Sequence, residues 1–215
     1  MGPWDNTCFG ESTARAPRRR AKPGARARLA LLSGSALVSA AFCVAMLPTP
    51  ALACSPEPCT WTGAGGNGSW SNGSNWSNGV PSTGDSVLLT NAGSAPTNHD
   101  QNPAYNSVSL NPNSAGYTIN NIGGNPIALR SGGSITDNNT AACSPGDTLN
   151  TGLTLNGPAT ITLASGAGGL TFGVNPITGT GLLTIINNST GTVTFTGVNT
   201  YSGGTAIRRG RRCRD

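Results

Sequence analysis

Short runs of β-forming residues recur along the chain from residue 86 onwards. Within each run, apolar and polar residues alternate with the period of two that puts successive side chains on opposite faces of a strand. Corners rich in glycine and asparagine, such as those at 123–125 and 156–158, separate the runs. The pattern predicts strands over 86–90, 105–110, 116–119, 127–129, 153–155, 160–163, 170–172, 182–186 and 192–196.

The shortness of these runs favours a right-handed parallel β-helix, an all-β solenoid, over residues 86–207. Strands of a β-sandwich usually run about 5–6 residues or more, whereas most of these runs are shorter. In a solenoid each strand pairs with its counterpart in the next coil. Stacked Asn and Thr side chains would then help a chain with only 36% hydrophobic residues to fold. The alternatives are a β-sandwich and a largely disordered chain, since low hydrophobicity is also typical of flexible segments.

The charge of the predicted folded part excludes one class of partner. Of the 13 basic residues, seven precede the apolar run at 29–47 and five lie in the last eight positions. Between Cys54 and Ile207 only Arg130 is basic, against five acidic residues, which gives a net charge of −4. A nucleic-acid partner requires a basic face to neutralise phosphates. No nucleic-acid partner is therefore expected.

Residues 1–53 have the three parts of an extended secretory signal peptide: a basic start, an apolar run and small residues at its end. Ala51 and Ala53 stand at the −3 and −1 positions of a signal peptidase site, which predicts cleavage between Ala53 and Cys54. The expected partner is the secretion machinery of the inner membrane. A retained membrane anchor is the alternative, because the nineteen residues at 29–47 could just span a bilayer.

Cys54 would be the first residue after cleavage. We expect it to form a disulfide with Cys59 in an oxidising compartment. The alternative is a lipoprotein with an acylated Cys54, although Ala51 stands where such signals usually have leucine. Cys143 has no obvious partner, and no Cys/His spacing indicates zinc. No metal or cofactor is predicted.

Three tryptophans mark residues 54–85 as a segment of its own. Trp61, Trp70 and Trp76 fall in the pattern W-x-G…W…N-W…P…G-D-x-V, which resembles the N-terminal opening of autotransporter passengers. The first coil of a solenoid needs a cap over its open end, and large aromatic residues can supply it. The alternative is a carbohydrate-binding platform, since exposed tryptophans stack on sugar rings.

The sequence gives little support for catalytic residues. Gly84-Asp85-Ser86 resembles the nucleophile motif of a lipase and esterase family, but that chemistry requires a histidine base. The single histidine, His99, lacks an aspartate three residues before it, and we expect it in a polar loop. Polysaccharide-acting β-helix enzymes require clustered carboxylates, and here the acidic residues are scattered. The chain is therefore predicted not to be an enzyme.

Residues 191–210, GTVTFTGVNTYSGGTAIRRG, carry the most specific motif. From residue 196 onwards they closely resemble the autotransporter-associated β-strand repeat, T-G-x-N-T-Y-S-G-G-T-T-I-x-x-G, with Ala206 in place of a threonine. The resemblance implies the passenger of a bacterial type V secretion protein, in which the repeat assists folding and export. The matching residues are Asn199, Thr200, Tyr201, Ser202, Gly203, Gly204 and Thr205.

The last residues, 208–215, form a basic tail that departs from the repeat pattern. A frame change or a truncated gene model explains the change in composition better than a genuine tail does. The resemblance also implies a C-terminal translocator barrel, for which the chain leaves no room. We therefore expect this chain in the periplasm, and a full-length relative at the cell surface or outside the cell.

The predicted function is that of a non-catalytic secreted or surface passenger fragment. The alternative is an adhesin that binds glycans or host proteins through the tryptophans or an exposed Thr/Asn face, and a polysaccharide-acting enzyme comes third. The open last coil is expected to permit self-association, because an unpaired strand edge can pair with another chain.

Overall fold

The computed structural model describes residues 54–90, 97–111, 116–139 and 146–210. Within these ranges the chain forms fourteen β-strands, one 3-10 turn and no α-helix, which confirms the predicted all-β class. The elements in chain order are β1 (Cys59–Trp61), η1 (Gly73–Asn75), β2 (Ser86–Thr90), β3 (Thr97–His99), β4 (Ala104–Asn111), β5 (Thr118–Asn121), β6 (Ile127–Asp137), β7 (Asp147–Asn150), β8 (Leu153–Leu155), β9 (Ala159–Leu163), β10 (Gly169–Phe172), β11 (Ile177–Gly179), β12 (Leu183–Asn187), β13 (Thr192–Phe195) and β14 (Thr205–Arg209).

Every strand-to-strand ladder is parallel, and each strand pairs with its counterpart in the next coil. One sheet has the order β1-β2-β4-β6-β9-β12-β14, and the other has β3-β5-β7-β10-β13. A third ladder joins the first parts of β4 and β6 to β8 and β11. The described chain is thus a parallel β-solenoid of about six turns. It is not a β-sandwich, whose sheets are antiparallel.

The core consists of columns of apolar side chains from successive coils. Val87, Val108, Ile135 and Ile161 are register partners in β2, β4, β6 and β9, spaced 21 to 27 residues apart along the chain. All four are buried. Burying each such side chain contributes about 1.5–3 kcal/mol to stability. The short alternating runs of the sequence therefore become the rungs of one continuous interior.

Polar ladders connect the coils outside this core. The amide of Asn138 donates to Oδ1 of Asn111 at 2.7 Å, and the amide of Asn150 donates to Oδ1 of Asn120 at 3.3 Å. Outward threonines also align in neighbouring coils, as at Thr118 and Thr148. The stacking satisfies the polar groups that the asparagine-rich sequence would otherwise leave unpaired.

The strands differ from the prediction in two respects. β6 is 11 residues long, because the chain turns between two faces of the solenoid without leaving the strand; Gly132 allows this with φ of +80°. β1, β3, β7, β11 and β14 lie outside the predicted runs, because pairing with neighbouring coils positions them more than their own short sequences do. β14 also extends to Arg209, past residue 207.

Candidate functional site

The repeat motif forms the last described coil of the solenoid. β13 pairs with β10, and β14 pairs with β12, so residues 192–209 stack on the coil before them. Between these strands the motif keeps contact with β11: the N–H groups of Thr200 and Ser202 donate to the carbonyl oxygens of Ile177 and Gly179 at 2.9 and 3.0 Å. The motif is therefore a stacking unit along its whole length.

Asn199 makes the side-chain bond that fits this role. Its Oδ1 accepts the N–H of Ile177, the first residue of β11, at 2.8 Å. The side-chain carbonyl of Asn199 thus accepts an N–H group that a backbone carbonyl would accept in a paired strand. This bond gives a physical reason for asparagine at the motif position.

Gly203 and Gly204 form the corner before β14. A side chain at Gly203 would overlap the carbonyl group of Gly181 in the previous coil, so only glycine permits this approach. Gly204 has φ of +79°, in the left-handed region. Tyr201 lies against the core and its hydroxyl is hydrogen-bonded to Thr205. The tight corner thus depends on the two glycines, and the Tyr201–Thr205 hydrogen bond spans it.

The outer edge of this coil exposes one large apolar side chain, Ile207, beside Arg208 and Arg209. Phe195 stacks on Phe172 of the previous coil with ring centroids 5.0 Å apart. Ile207 is the register partner of Ile185, yet it is 73% exposed whereas Ile185 is 6% exposed. No strand among the described residues pairs with the far edges of β13 and β14. The described solenoid is therefore open at this end.

The three tryptophans predicted as a cap or a sugar platform lie together at the opposite end. The rings of Trp61 and Trp76 meet edge to face at 4.9 Å, and those of Trp70 and Trp76 do so at 5.3 Å. The indole N–H of Trp76 donates to the carbonyl oxygen of Trp70 at 2.7 Å. All three tryptophans are buried. The structure therefore brings them together as one cluster with no open ring face.

The position of His99 differs from the one that the sequence predicted. It lies in β3 and is fully buried, not in a polar loop. Its ring packs edge to face on Trp70, and its nitrogens face the Tyr105 hydroxyl at 3.1 Å and the Asn125 carbonyl at 3.0 Å. Burial lowers the pKa of His99 more than the hydrogen bond to Asn125 and the charge of Asp100 raise it. Because Ser86 lies in the other sheet on an outward-facing position, the two do not form a nucleophile and base pair.

A buried carboxyl pair was missed by the sequence reasoning. Asp137 ends β6 and Asp147 begins β7, and both are buried. Oδ1 of Asp147 accepts the N–H of Tyr117 at 2.6 Å, and Oδ1 of Asp137 accepts the N–H of Asn139 at 2.8 Å. Desolvation raises the pKa of Asp137, and desolvation together with the charge of Asp137 raises that of Asp147 to about 7.

The buried pair could be predicted from the sequence if the register of the coils were known. Asp137 occupies the inward column of Leu110 in β4 and Leu163 in β9. An aspartate in a leucine column must be buried with it. The register, which the sequence does not give, is needed to recognise this.

Cys54 and Cys59 are joined by a disulfide, with their Cα atoms 5.3 Å apart. Asp85 lies beside them, and the two sulfur atoms and a carboxylate oxygen fall within 4.8 Å of one another. A metal would need thiolate ligands, and the disulfide leaves none. Asp85 instead closes a turn: its Oδ2 accepts the N–H and hydroxyl of Ser82, each at 2.9 Å.

Several predicted features lie outside the described residues. These are the signal peptide with Ala53, Cys143, and the final residues 211–215. Among the described residues, no helix has the length and apolar character needed to cross a membrane.

Comparison of the chain with protein-family models, with curated proteins and with solved structures found no match in any of the three. The resemblance of 196–210 to the autotransporter-associated repeat therefore rests on the motif residues themselves.

Proposed function

We propose that this chain is a non-catalytic passenger fragment of a bacterial autotransporter, exported through the inner membrane and stacked coil by coil into a solenoid. The observation that carries the proposal is the fit of the repeat to its position. Asn199, Tyr201 and Gly203 each make a contact that a stacking coil requires. In this role the repeat assists folding and export by docking on the coil before it.

A non-catalytic role agrees with where the polar groups lie. Asp137 and Asp147 are buried in the interior, so a polysaccharide could not reach them. His99 is also buried. General acid and base groups must come within hydrogen-bond reach of the substrate, and these side chains face the core.

The first experiment follows the full chain in a bacterium and separates cytoplasm, periplasm and medium. The proposal predicts a processed chain in the periplasm, resistant to protease. Asn199→Ala is expected to reduce protease resistance and periplasmic yield, because it removes the bond to Ile177. Val198→Ala, at a position 83% exposed, is the matched control. An unprocessed chain in the cytoplasm would contradict export, and equal resistance of both variants would contradict the role of the repeat.

A glycan-binding adhesin is the second candidate, favoured by one observation. The outer face of β2 and β4 holds a groove of about 350 Å³. It is lined by Glu57, Pro58, Ser86, Val87, Leu88, Ser107 and Ser109. Hydroxyl and carboxylate groups can hydrogen-bond to sugars. This groove, rather than the buried tryptophans, would be the contact surface.

Glycan-array binding by the purified chain tests this candidate. If the chain is an adhesin, Ser107→Tyr, which fills the groove, should abolish glycan binding and leave the far-UV circular dichroism spectrum unchanged. Thr171→Tyr, on an outward position of the other sheet, is the control. A chain that binds no glycan on the array rules the adhesin out for that set.

A further inference from the structure

The start of the described chain holds a buried carboxylate surrounded by neutral donors. The backbone N–H of Cys54 donates to Oδ2 of Asp85 at 3.2 Å, and the two residues are each 5% exposed. Ser82 supplies the other two hydrogen bonds. Arg130 lies beside Gly84 but forms no ion pair with Asp85, and Glu57 in the disulfide loop is exposed. Among the described residues, Asp85 therefore has no positive partner.

We propose that cleavage after Ala53 turns the nitrogen of Cys54 into that partner, an α-ammonium group paired with the Asp85 carboxylate. The inference rests on the export proposed above, since it requires a signal peptidase. Hydrolysis of the Ala53–Cys54 bond leaves a carboxylate on Ala53 and an amine on Cys54, which takes up a proton. Processing then completes the first coil, because it supplies the charge that Asp85 lacks.

The geometry for the pairing exists before cleavage. The disulfide to Cys59 ties Cys54 to β1, so its nitrogen stays beside Asp85 when the preceding residue is gone. An unperturbed α-amino group has a pKa of about 7.7–8.0. It is therefore mostly charged at neutral pH, and a nearby carboxylate favours the charged form further.

The same contacts argue against acylation of Cys54. A lipoprotein carries its lipid on the cysteine Sγ, and here that atom is bonded to Cys59. N-acylation would also remove the positive charge that Asp85 lacks. The ammonium pairing and the lipid anchor are therefore mutually exclusive outcomes for this residue.

The sequence offers a selective probe, because residues 54–215 contain no lysine. After cleavage at Ala53 the α-amino group of Cys54 is the single amine of the chain. The full chain is expressed and its exported product is purified. The mass of this product is measured, and its amine is acetylated with an N-hydroxysuccinimide ester under native conditions and in urea. We expect a mass that begins at Cys54 with the disulfide intact, and native acetylation at least about tenfold slower than in urea.

The pH dependence of native acetylation separates an ion pair from simple burial. Pairing with Asp85 moves the midpoint of the rate profile to higher pH, whereas burial without a partner moves it to lower pH. The midpoint is measured on the unsubstituted chain, so it does not depend on whether a variant folds. In Asp85→Asn the upward shift should be lost, and in Asp100→Asn, the control carboxylate, it should persist.

The remaining outcomes contradict either the pairing alone or the pairing together with the export. A native midpoint at or below that of the unfolded chain contradicts the pairing but not the export. An exported chain with a different first residue, or with lipid on Cys54, has the same consequence. A chain that keeps its leader in the cytoplasm overturns export and the pairing together. The failure of the inference and that of the proposed function are thus distinguishable.

Discussion

The carboxyl groups of Asp137 and Asp147 interact directly in the interior of the solenoid. Oδ2 of each receives no N–H or O–H donor from the described residues. A proton held by one of the two carboxyls is favoured, since like charges so close disfavour double ionisation. The pair is therefore stable when it holds a proton and costs free energy when both groups ionise.

This arrangement predicts stability that falls as the pH rises. The folded state holds a proton at a pH where the unfolded chain, with ordinary aspartate pKa values, has released it. Unfolding then releases protons, so the free energy of unfolding decreases from about pH 4 to about pH 7 and levels off above. Asp147→Asn should reduce this decrease and stabilise the chain at pH 8 by about 1–3 kcal/mol, because its amide can donate to Asp137.

Urea unfolding at pH 5 and pH 8 measures the effect, and Asp100→Asn is the matched control. Burial of Asp100 raises its pKa, but hydrogen bonds from Ser69 and Ser71 outweigh this and lower it. Replacing Asp100 should therefore destabilise the chain at neutral pH, the opposite sign. Equal behaviour of the two variants would show that Asp137 and Asp147 are not coupled.

Gly203→Ala should destabilise the last coil by about 1–3 kcal/mol, because the new methyl group overlaps the carbonyl of Gly181. Hydrogen exchange of β12 and β14 amides measures the loss locally. Val198→Ala, on an exposed position, should change stability by less than about 0.5 kcal/mol. Unchanged exchange in Gly203→Ala would mean that the corner can open without cost.

Trp70→Ala should destabilise the chain by about 3–5 kcal/mol, since it removes the ring that contacts Trp61, Trp76 and His99. Thermal unfolding followed by far-UV circular dichroism measures this, with exposed Ser77→Ala as the control. A variant that folds as stably as the parent would contradict a structural role for the tryptophan cluster.

Self-association through the open end should depend on Ile207. Among the described residues, the far edges of β13 and β14 have no pairing strand, whereas the buried tryptophan cluster lies at the other end of the solenoid. Ile207→Asp should shift the chain towards monomer in sedimentation equilibrium, because it removes the one large apolar side chain that β14 exposes beside Arg208 and Arg209. Val174→Asp, 79% exposed on a corner, should not. Equal association of both variants would exclude this edge as the interface.

The alternation of residues determined the all-β class and the short strands, because side-chain direction in a strand follows from local spacing alone. The three tryptophans were likewise identifiable as cap candidates, since few other residues in the chain are large enough. The tight corner at Gly203 and Gly204 was predictable as well, because glycine adopts positive φ at no steric cost.

The register of the coils was decided only by the tertiary structure. The partner of each strand lies 21 to 27 residues away in the pairings of β2, β4, β6 and β9, and no local pattern specifies that distance. For this reason the burial of His99, the position of Asp137 in a leucine column and the contact between Cys54 and Asp85 could not be read from the chain. Each depends on which residues the stacking places one coil apart.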